Sequence, residues 1–133
     1  MVILDTGPLV ALLMPREPRS AWATEALRVN ATVVSCEAVV CEAFHLLRSS
    51  SRATQALRSM LAEDAIRLIS MANETRPVTK LMGRFATVPM SFADACLVRL
   101  SELHPRAVIV TLDSDFRVYR RNGRQVIPVL MPQ

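Results

Sequence analysis

The sequence predicts an α/β fold in which a parallel sheet is covered by helices on both faces. Segments with strand character alternate along the chain with segments of helical periodicity, a pattern typical of parallel sheets joined by crossover helices. The clearest strands, Val2–Leu4 and residues 107–112, are continuously apolar rather than alternating, as strands buried on both faces are. The 133 residues suit one domain with a single core.

The first 48 residues predict two strands and three helices. After the first strand, Pro8 is suited to the first position of a helix. Residues 17–29 have apolar side chains at helical spacing and predict a second helix. Residues 31–34 are short and rich in β-branched side chains, which favours a second strand. We expect Ser35 to cap a third helix that runs through Arg48.

The middle of the chain continues the alternation. The serine-rich turn at residues 49–52 opens another helix, and residues 66–70 form the expected third strand. A helical stretch begins at Arg76. Ser91 is expected to cap a helix that ends at Leu103.

The last 27 residues are expected to complete the sheet. The buried strand at residues 107–112 is followed by a short helix near residues 113–120. Asn122 and Gly123 are a strong turn signal, and they lead into a final strand at residues 126–130.

Charge and cysteine content indicate the environment and the partners. The net charge of +4 and pI near 9.6 favour attraction to polyanions. Three cysteines, Cys36, Cys41 and Cys96, form no CxxC pair, which is typical of a protein from a reducing cytosol. The first residues lack a basic region, and no later segment reaches the roughly 18 apolar residues that span a bilayer. We therefore expect a cytoplasmic protein that does not contact a membrane.

The triplet Asp5-Thr6-Gly7 also occurs in aspartic proteases, but those enzymes hold it in all-β folds, whereas this chain is largely helical in periodicity. Phosphatases that place a nucleophilic Asp after the first strand of an α/β sheet usually need a second Asp two residues later. Here that position is Gly7. Both interpretations of Asp5 are therefore disfavoured.

Four acidic residues lie where strands of a parallel sheet end or helices begin. Asp5 and Asp113 directly follow buried strands, Asp94 begins a helix, and Glu42 lies within an apolar helical stretch. In open α/β sheets, ligands bind at the carboxyl ends of the strands. Each acid also has a simpler structural explanation. Asp94 and Ser91 resemble a capping box, Asp113 could cap the following helix, and Asp5 could form an Asx-turn. Glu42 could simply be a solvent-exposed side chain.

The four positions together favour a shared site. Carboxylates gathered within a few ångströms repel one another and raise some of their own pKa values, and a divalent cation removes that cost. Ligands that are all oxygen favour Mg²⁺ or Mn²⁺, and the absence of histidine from the set argues against zinc.

The motifs ILDTGPLVALL, VVCEAFHLL, SFADACLVRLSE and VIVTLDSDF, in this order and spacing, resemble those of the PIN-domain ribonucleases, particularly the VapC-type toxins of toxin–antitoxin systems. The resemblance spans nearly the whole chain, so we expect a single PIN-like nuclease domain over residues 1–133.

The resemblance implies a three-layer α/β/α sandwich with a central, mostly parallel sheet, and a homodimer restrained by a cognate antitoxin protein. It implies Mg²⁺- or Mn²⁺-dependent cleavage of RNA phosphodiesters by metal-activated water, leaving 5′-phosphate and 3′-hydroxyl ends. When the family's motif positions are transferred to this sequence, the resemblance implies that the catalytic metal ligands are Asp5, Glu42, Asp94 and Asp113. It also implies a further metal-associated acid, Asp115, and two hydroxyl residues that flank the site, Thr6 and Thr111.

Substrate binding is less distinct in the sequence. Four arginines near Asp113 are candidates for contact with RNA phosphates, although such clusters are often only solvated surface: Arg117, Arg120, Arg121 and Arg124. Two alternatives to an endoribonuclease remain open from the sequence. One is a non-catalytic PIN-like module that binds RNA or protein, and the other is a nuclease directed at DNA.

Overall fold

A parallel five-stranded sheet forms the centre of the protein in the computed structural model, which describes residues 1–29, 32–85 and 87–133. Its strands are β1 (Val2–Leu4), β2 (Val33–Ser35), β3 (Arg67–Leu68), β4 (Val108–Val110) and β7 (Val129–Leu130). Their order in the sheet is β3-β2-β1-β4-β7, and every pairing is parallel. The predicted sheet is therefore confirmed.

The first strand lies in the middle of the sheet and sets its register. Ile3 of β1 is paired with Val34 on one side and with Ile109 on the other. Every residue of β1 is buried, which explains why this strand is continuously apolar in sequence. Because β1 and β4 are parallel neighbours, the residues that follow them emerge side by side at the same edge.

Helices flank the sheet and complete the expected α/β architecture. In the described residues the α-helices are α1 (Thr6–Leu13), α2 (Ser20–Arg28), α3 (Glu37–Leu46), α4 (Ser51–Ala62), α5 (Thr75–Arg84) and α6 (Phe92–Leu103). The helix α1 packs against α2, α3 and α4, whereas α6 packs against α5, β1 and β4. Short 3₁₀ segments span Ala72–Glu74 and Ser114–Arg117.

Two helix starts differ from the sequence-based expectation. Asp5 caps α1, and its side chain accepts a hydrogen bond from the Thr6 amide, so the helix begins two residues before Pro8. Ser35 does not cap α3; its hydroxyl instead donates to the Leu4 carbonyl, because Ser35 still belongs to β2. The predicted start of that strand at Ala31 lies outside the described residues.

The carboxyl-terminal segment also differs from the expectation. The predicted strand at 126–130 is divided into β6 (Gln125–Val126) and β7, which lie in different sheets. The strand β6 pairs antiparallel with β5 (Arg120–Arg121), and the Asn122-Gly123 turn joins them. Pro128 lies between β6 and β7, and it lacks the amide that a continuous ladder would need.

The core is mainly aliphatic and is organised around the sheet. Ile3, Leu97 and Ile109 are fully buried between the layers, together with the ring of Phe116. No helix in the described part of the chain is both long and apolar enough to cross a bilayer.

Candidate functional site

A polar cavity of about 570 Å³ lies at the carboxyl edge of the sheet. Asp5 follows β1, and Asp113 lies three residues after β4, so the parallel pairing of these strands brings both acids to this edge. All four of the predicted metal-binding acids line this cavity. Its lining residues are Asp5, Thr6, Gly7, Glu42, Ser91, Asp94, Leu112, Asp113 and Ser114.

Asp5 is the most buried acid of the site, with 8% of its surface exposed. Its Oδ1 accepts a hydrogen bond of 2.7 Å from the Thr6 amide, and its Oδ2 accepts one of 2.7 Å from the Thr111 hydroxyl. The backbone amide of Asp5 donates to the Val110 carbonyl of the neighbouring strand. Both the backbone and the carboxylate of Asp5 are therefore fixed by the sheet edge.

Thr111 connects two of the acids. While its hydroxyl donates to Asp5, its oxygen accepts a 2.9 Å hydrogen bond from the Asp113 amide. Asp113 in turn caps the 3₁₀ segment Ser114–Arg117 by accepting from the Asp115 amide at 2.9 Å. Thr111 is fully buried, so this arrangement is protected from competition with water.

Asp94 enters the cavity from the first turn of α6. It forms a capping box with Ser91: the Asp94 amide donates to the Ser91 hydroxyl at 3.0 Å, and the Ser91 amide donates to Asp94 Oδ2 at 3.4 Å. Oδ2 also accepts a 3.2 Å hydrogen bond from the Tyr119 hydroxyl. The capping interpretation of Asp94 is therefore correct, and it coexists with the position of this carboxylate on the cavity wall.

Glu42 and Asp115 occupy different positions relative to the cavity. Glu42, on α3, is an exposed residue that lines the cavity. Asp115 is not among the lining residues; its amide supports Asp113, and its carboxylate acts on Tyr119 through its charge. The structure therefore brings Glu42 to the site and leaves Asp115 behind it.

The electrostatics of the acids reflect burial and mutual repulsion. Burial, with smaller contributions from the charges of Asp94 and Asp113, raises the pKa of Asp5 to about 6, although the hydrogen bonds from Thr111 and Thr6 oppose the shift. Burial and the charge of Asp113 likewise raise the pKa of Asp94 above its usual range, against the hydrogen bonds from Ser91 and Tyr119. A cation at this edge would relieve both effects.

The donor set fits a hard divalent cation. The acidic side chains that line the cavity offer only oxygen atoms, which is the preference of Mg²⁺ and Mn²⁺. The buried hydroxyl of Thr6, also in the lining, has no hydrogen-bond partner within the described ranges. No three His, Cys, Asp or Glu side chains in residues 1–29, 32–85 and 87–133 are grouped tightly enough to hold an ion as they stand. Binding would therefore require movement of side chains.

The predicted RNA-binding arginines do not line this cavity, and one of them has another role. Arg121 is 3% exposed, and its guanidinium donates to the Ser101 carbonyl and hydroxyl, the Pro105 carbonyl and the Gln125 side chain. This corrects the expectation for Arg121, because its donors are used inside the protein at the end of α6.

The other three arginines have accessible side chains. Arg117 and Arg124 are exposed, and Arg120 is half-buried and donates to the carbonyls of residues 117–119. Their contact with RNA remains a prediction.

Tyr119 contacts the site although it is not among the site residues predicted from the sequence. Its ring is fully buried, and its hydroxyl donates a hydrogen bond to Asp94. Burial, followed by the charges of Asp94 and Asp115, raises the pKa of Tyr119 above its usual range, so the hydroxyl remains a donor at neutral pH. The position of Tyr119 six residues after Asp113 carried no signal of this contact.

Two solved structures resemble the chain over most of its length. VapC20 from Mycobacterium tuberculosis, described as a toxin that cleaves the sarcin–ricin loop, is 20% identical with a TM-score of 0.80, over 89% of this chain and 94% of that one. VapBC2 from Rickettsia felis, bound to a DNA fragment from their promoter, is 17% identical with a TM-score of 0.66, over 98% of both chains. At these identities the likeness concerns the fold.

Comparison of the sequence itself gives the family. No curated protein matches the chain. The family model described as PIN domain matches residues 2–122, a range that contains β1 to β5 and all four acids of the cavity. The parallel sheet, the carboxylate-lined edge and this match agree, and the chain belongs to the PIN domain family.

Proposed function

We propose that this protein is a Mg²⁺- or Mn²⁺-dependent endoribonuclease and the toxin of a type II toxin–antitoxin pair. The observation that carries the proposal is the convergence of Asp5, Glu42, Asp94 and Asp113 on one cavity at the carboxyl edge of the sheet. These residues come from four separate parts of the chain. Capping alone gives no reason for them to face the same space.

The cost of gathering these charges supports a bound cation. The raised pKa of Asp5, about 6, means that folding penalises its ionised form. Such a penalty is unfavourable for a structural cap, which gains most when it is charged. It is compatible with a ligand whose charge is neutralised by an ion when the protein is active.

The chain's own residues hold the reacting groups in place. Thr111 and the Thr6 amide fix the two oxygens of Asp5, and Ser91 and Tyr119 hold one oxygen of Asp94. A bound divalent ion would lower the pKa of water and neutralise charge on a phosphodiester. We propose hydrolysis by water rather than through a covalent protein intermediate, with the acids of the cavity as ligands of the ion. The products would carry 5′-phosphate and 3′-hydroxyl ends.

The choice of RNA and of an antitoxin partner is supported by the relatives and by charge. VapC20 is described as a toxin that cleaves the sarcin–ricin loop, and VapBC2 is described as bound to a DNA fragment from their promoter. The net charge of +4 favours a polyanionic substrate. We propose that Arg117, Arg120 and Arg124 contact RNA phosphates, and that the protein is a cytoplasmic homodimer when it is not bound to its antitoxin.

The direct test is cleavage of end-labelled RNA with Mn²⁺ or Mg²⁺ and with EDTA. We expect cleavage only with the ion, and a loss of about 100-fold or more in Asp94→Asn, comparable to removal of one electrostatic stabilising group. Glu63→Gln, a change of an exposed acid that follows α4 and does not line the cavity, should cleave normally. RNA binding without cleavage would indicate a non-catalytic module, and preferential cleavage of DNA would indicate the third function considered from the sequence.

The biological role requires its own test. Expression of the chain should arrest growth, and Asp5→Asn should relieve the arrest while the protein still accumulates. A short neighbouring gene for a DNA-binding antitoxin, whose co-expression restores growth, would support the toxin role. Normal growth at high expression of an active nuclease would contradict it.

A further inference from the structure

Tyr119 is held rigidly behind the cavity wall. Its ring is fully buried and makes edge contacts with Phe85 and Phe116, with ring centroids 5.4 Å apart in each case. Two edge-on aromatic partners restrict rotation of the tyrosine ring and therefore fix the direction of its hydroxyl.

The hydroxyl of Tyr119 joins two points on the segment that leads into α6. It donates to the Pro89 carbonyl at 2.7 Å and to Asp94 Oδ2 at 3.2 Å. The same carboxylate oxygen also accepts from the Ser91 amide at 3.4 Å. Within the described ranges, the hydrogen bonds from the Tyr119 hydroxyl and the Ser91 amide both end on Oδ2, and neither involves Asp94 Oδ1. One oxygen of Asp94 is thus held by the protein, and the other remains available to the cavity.

A purely packing role does not require a tyrosine here. Phenylalanine would make the same ring contacts with Phe85 and Phe116, and it would avoid placing a polar hydroxyl in the interior. What the hydroxyl adds is its contact with Pro89 and Asp94. Tyr119 is the one tyrosine in the sequence. Its hydroxyl contact with Asp94 therefore separates it from the phenylalanines of the core, which contribute only their rings.

We propose that Tyr119 is a positioning residue for the metal site: its hydroxyl orients Asp94 so that the free carboxylate oxygen faces the cavity. This inference rests on the proposed function, in which Asp94 is a ligand of the ion. Partners that orient a metal-binding side chain typically change metal affinity by about 10- to 100-fold when they are removed. The role of Tyr119 is therefore visible in ion binding as well as in catalysis.

The test is titration of the purified, metal-free protein with Mn²⁺, in which binding is measured by calorimetry or by the loss of the EPR signal of the free ion. Tyr119→Phe should fold normally and bind Mn²⁺ about 10-fold more weakly, and its RNA cleavage should recover when Mn²⁺ is raised accordingly. Asp94→Asn gives the benchmark for loss of the ligand. Ser101→Ala is the matched control. It removes a buried hydroxyl from the same helix as Asp94, but this hydroxyl accepts a hydrogen bond from Arg121 and not from the site.

The outcomes separate this inference from the proposed function. Weaker Mn²⁺ binding in Tyr119→Phe and Asp94→Asn, with unchanged binding in Ser101→Ala, supports a positioning role. Weaker binding in Asp94→Asn with unchanged binding in Tyr119→Phe overturns the inference and leaves the proposed function intact. Equal weakening in Ser101→Ala also overturns it, because general destabilisation would then explain the effect. If Asp94→Asn binds Mn²⁺ as the wild type does, the proposed function itself fails.

Discussion

The hydroxyl of Thr111 donates a 2.7 Å hydrogen bond to Asp5 Oδ2, joining residues that are 106 positions apart in sequence. The bond links the ends of β1 and β4, which are parallel neighbours in the sheet. The same threonine oxygen accepts from the Asp113 amide. One buried hydroxyl therefore fixes the relative position of two acids of the cavity, and the integrity of the site should depend on it.

Thr111→Val should destabilise the protein by about 2 kcal/mol, because it leaves a buried carboxylate oxygen and the Asp113 amide without their partner. The free energy of unfolding in urea measures this loss. Thr79→Val is the matched control, since the Thr79 hydroxyl bonds only to carbonyls of its own exposed helix turn. Equal losses in the two variants would show that the Thr111 hydroxyl has no special role.

The stability of the metal-free protein should fall as pH rises through the range set by Asp5. Its folded pKa is about 6, above the usual value of 3.8, so the folded state binds the proton more tightly than the unfolded state. Protonation of Asp5 therefore adds to the free energy of unfolding. This stabilisation is complete below about pH 4 and is lost by pH 7, a change of about 3 kcal/mol for a buried carboxyl. Urea unfolding in EDTA from pH 4 to 7 measures it.

Asp5→Asn isolates this effect, because other acids add their own pH dependence. Asp94 contributes in the same direction, whereas the lowered pKa of Glu37 contributes in the opposite direction. The stability difference between wild type and Asp5→Asn should therefore change by about 3 kcal/mol over this range. The same pH profile in both proteins would show that the pKa of Asp5 is not raised.

Mn²⁺ should reverse the unfavourable effect of gathered carboxylates. At pH 7 without metal, we expect Asp5→Asn to be as thermostable as the wild type or more so, because one repelling charge is gone. At a Mn²⁺ concentration 100 times its dissociation constant, the wild type should gain about 2.7 kcal/mol, and the variant should gain little. Differential scanning calorimetry with and without Mn²⁺ makes the comparison. Ready unfolding of metal-free Asp5→Asn would show that Asp5 serves only as a structural cap.

Arg121 should be needed for stability rather than for RNA. Arg121→Ala removes donors to the Ser101 and Pro105 carbonyls at the end of α6, and we expect a loss of about 3 kcal/mol for a charged buried group. Arg124→Ala, at an exposed position of the turn that follows β5, should leave stability unchanged. If Arg121→Ala is as stable as the wild type but binds RNA more weakly, the assignment of Arg121 to the interior is wrong.

The sheet and the positions of the four acids were predictable because the sequence features that indicate them are local. Apolar strand segments and the acids near their ends can be recognised without knowledge of side-chain contacts. A continuously apolar triplet such as Val2–Leu4 indicates a strand buried on both faces. Parallel pairing then brings the residues after β1 and β4 to one edge, whatever the detailed packing. For this reason Asp5 and Asp113 could be placed together from the sequence.

The features that escaped prediction depend on tertiary contacts. The burial of Arg121 follows from carbonyls at the end of α6, which no spacing in the sequence reveals. The contact of Tyr119 with Asp94 crosses 25 residues and depends on the packing of Phe85 and Phe116. The division of the last strand depends on pairing with Arg120–Arg121, which competes with extension of β7.

The central claim is that this carboxylate cavity binds a divalent cation, and anomalous diffraction from crystals soaked in Mn²⁺ tests it most directly. The account predicts an anomalous peak in the cavity, within about 2.5 Å of oxygen atoms of Asp5 and at least one of Asp94 and Asp113. The peak should be absent in crystals of Asp5→Asn soaked in the same way. A wild-type cavity without a peak at saturating Mn²⁺, or a peak bound only elsewhere, would contradict the account.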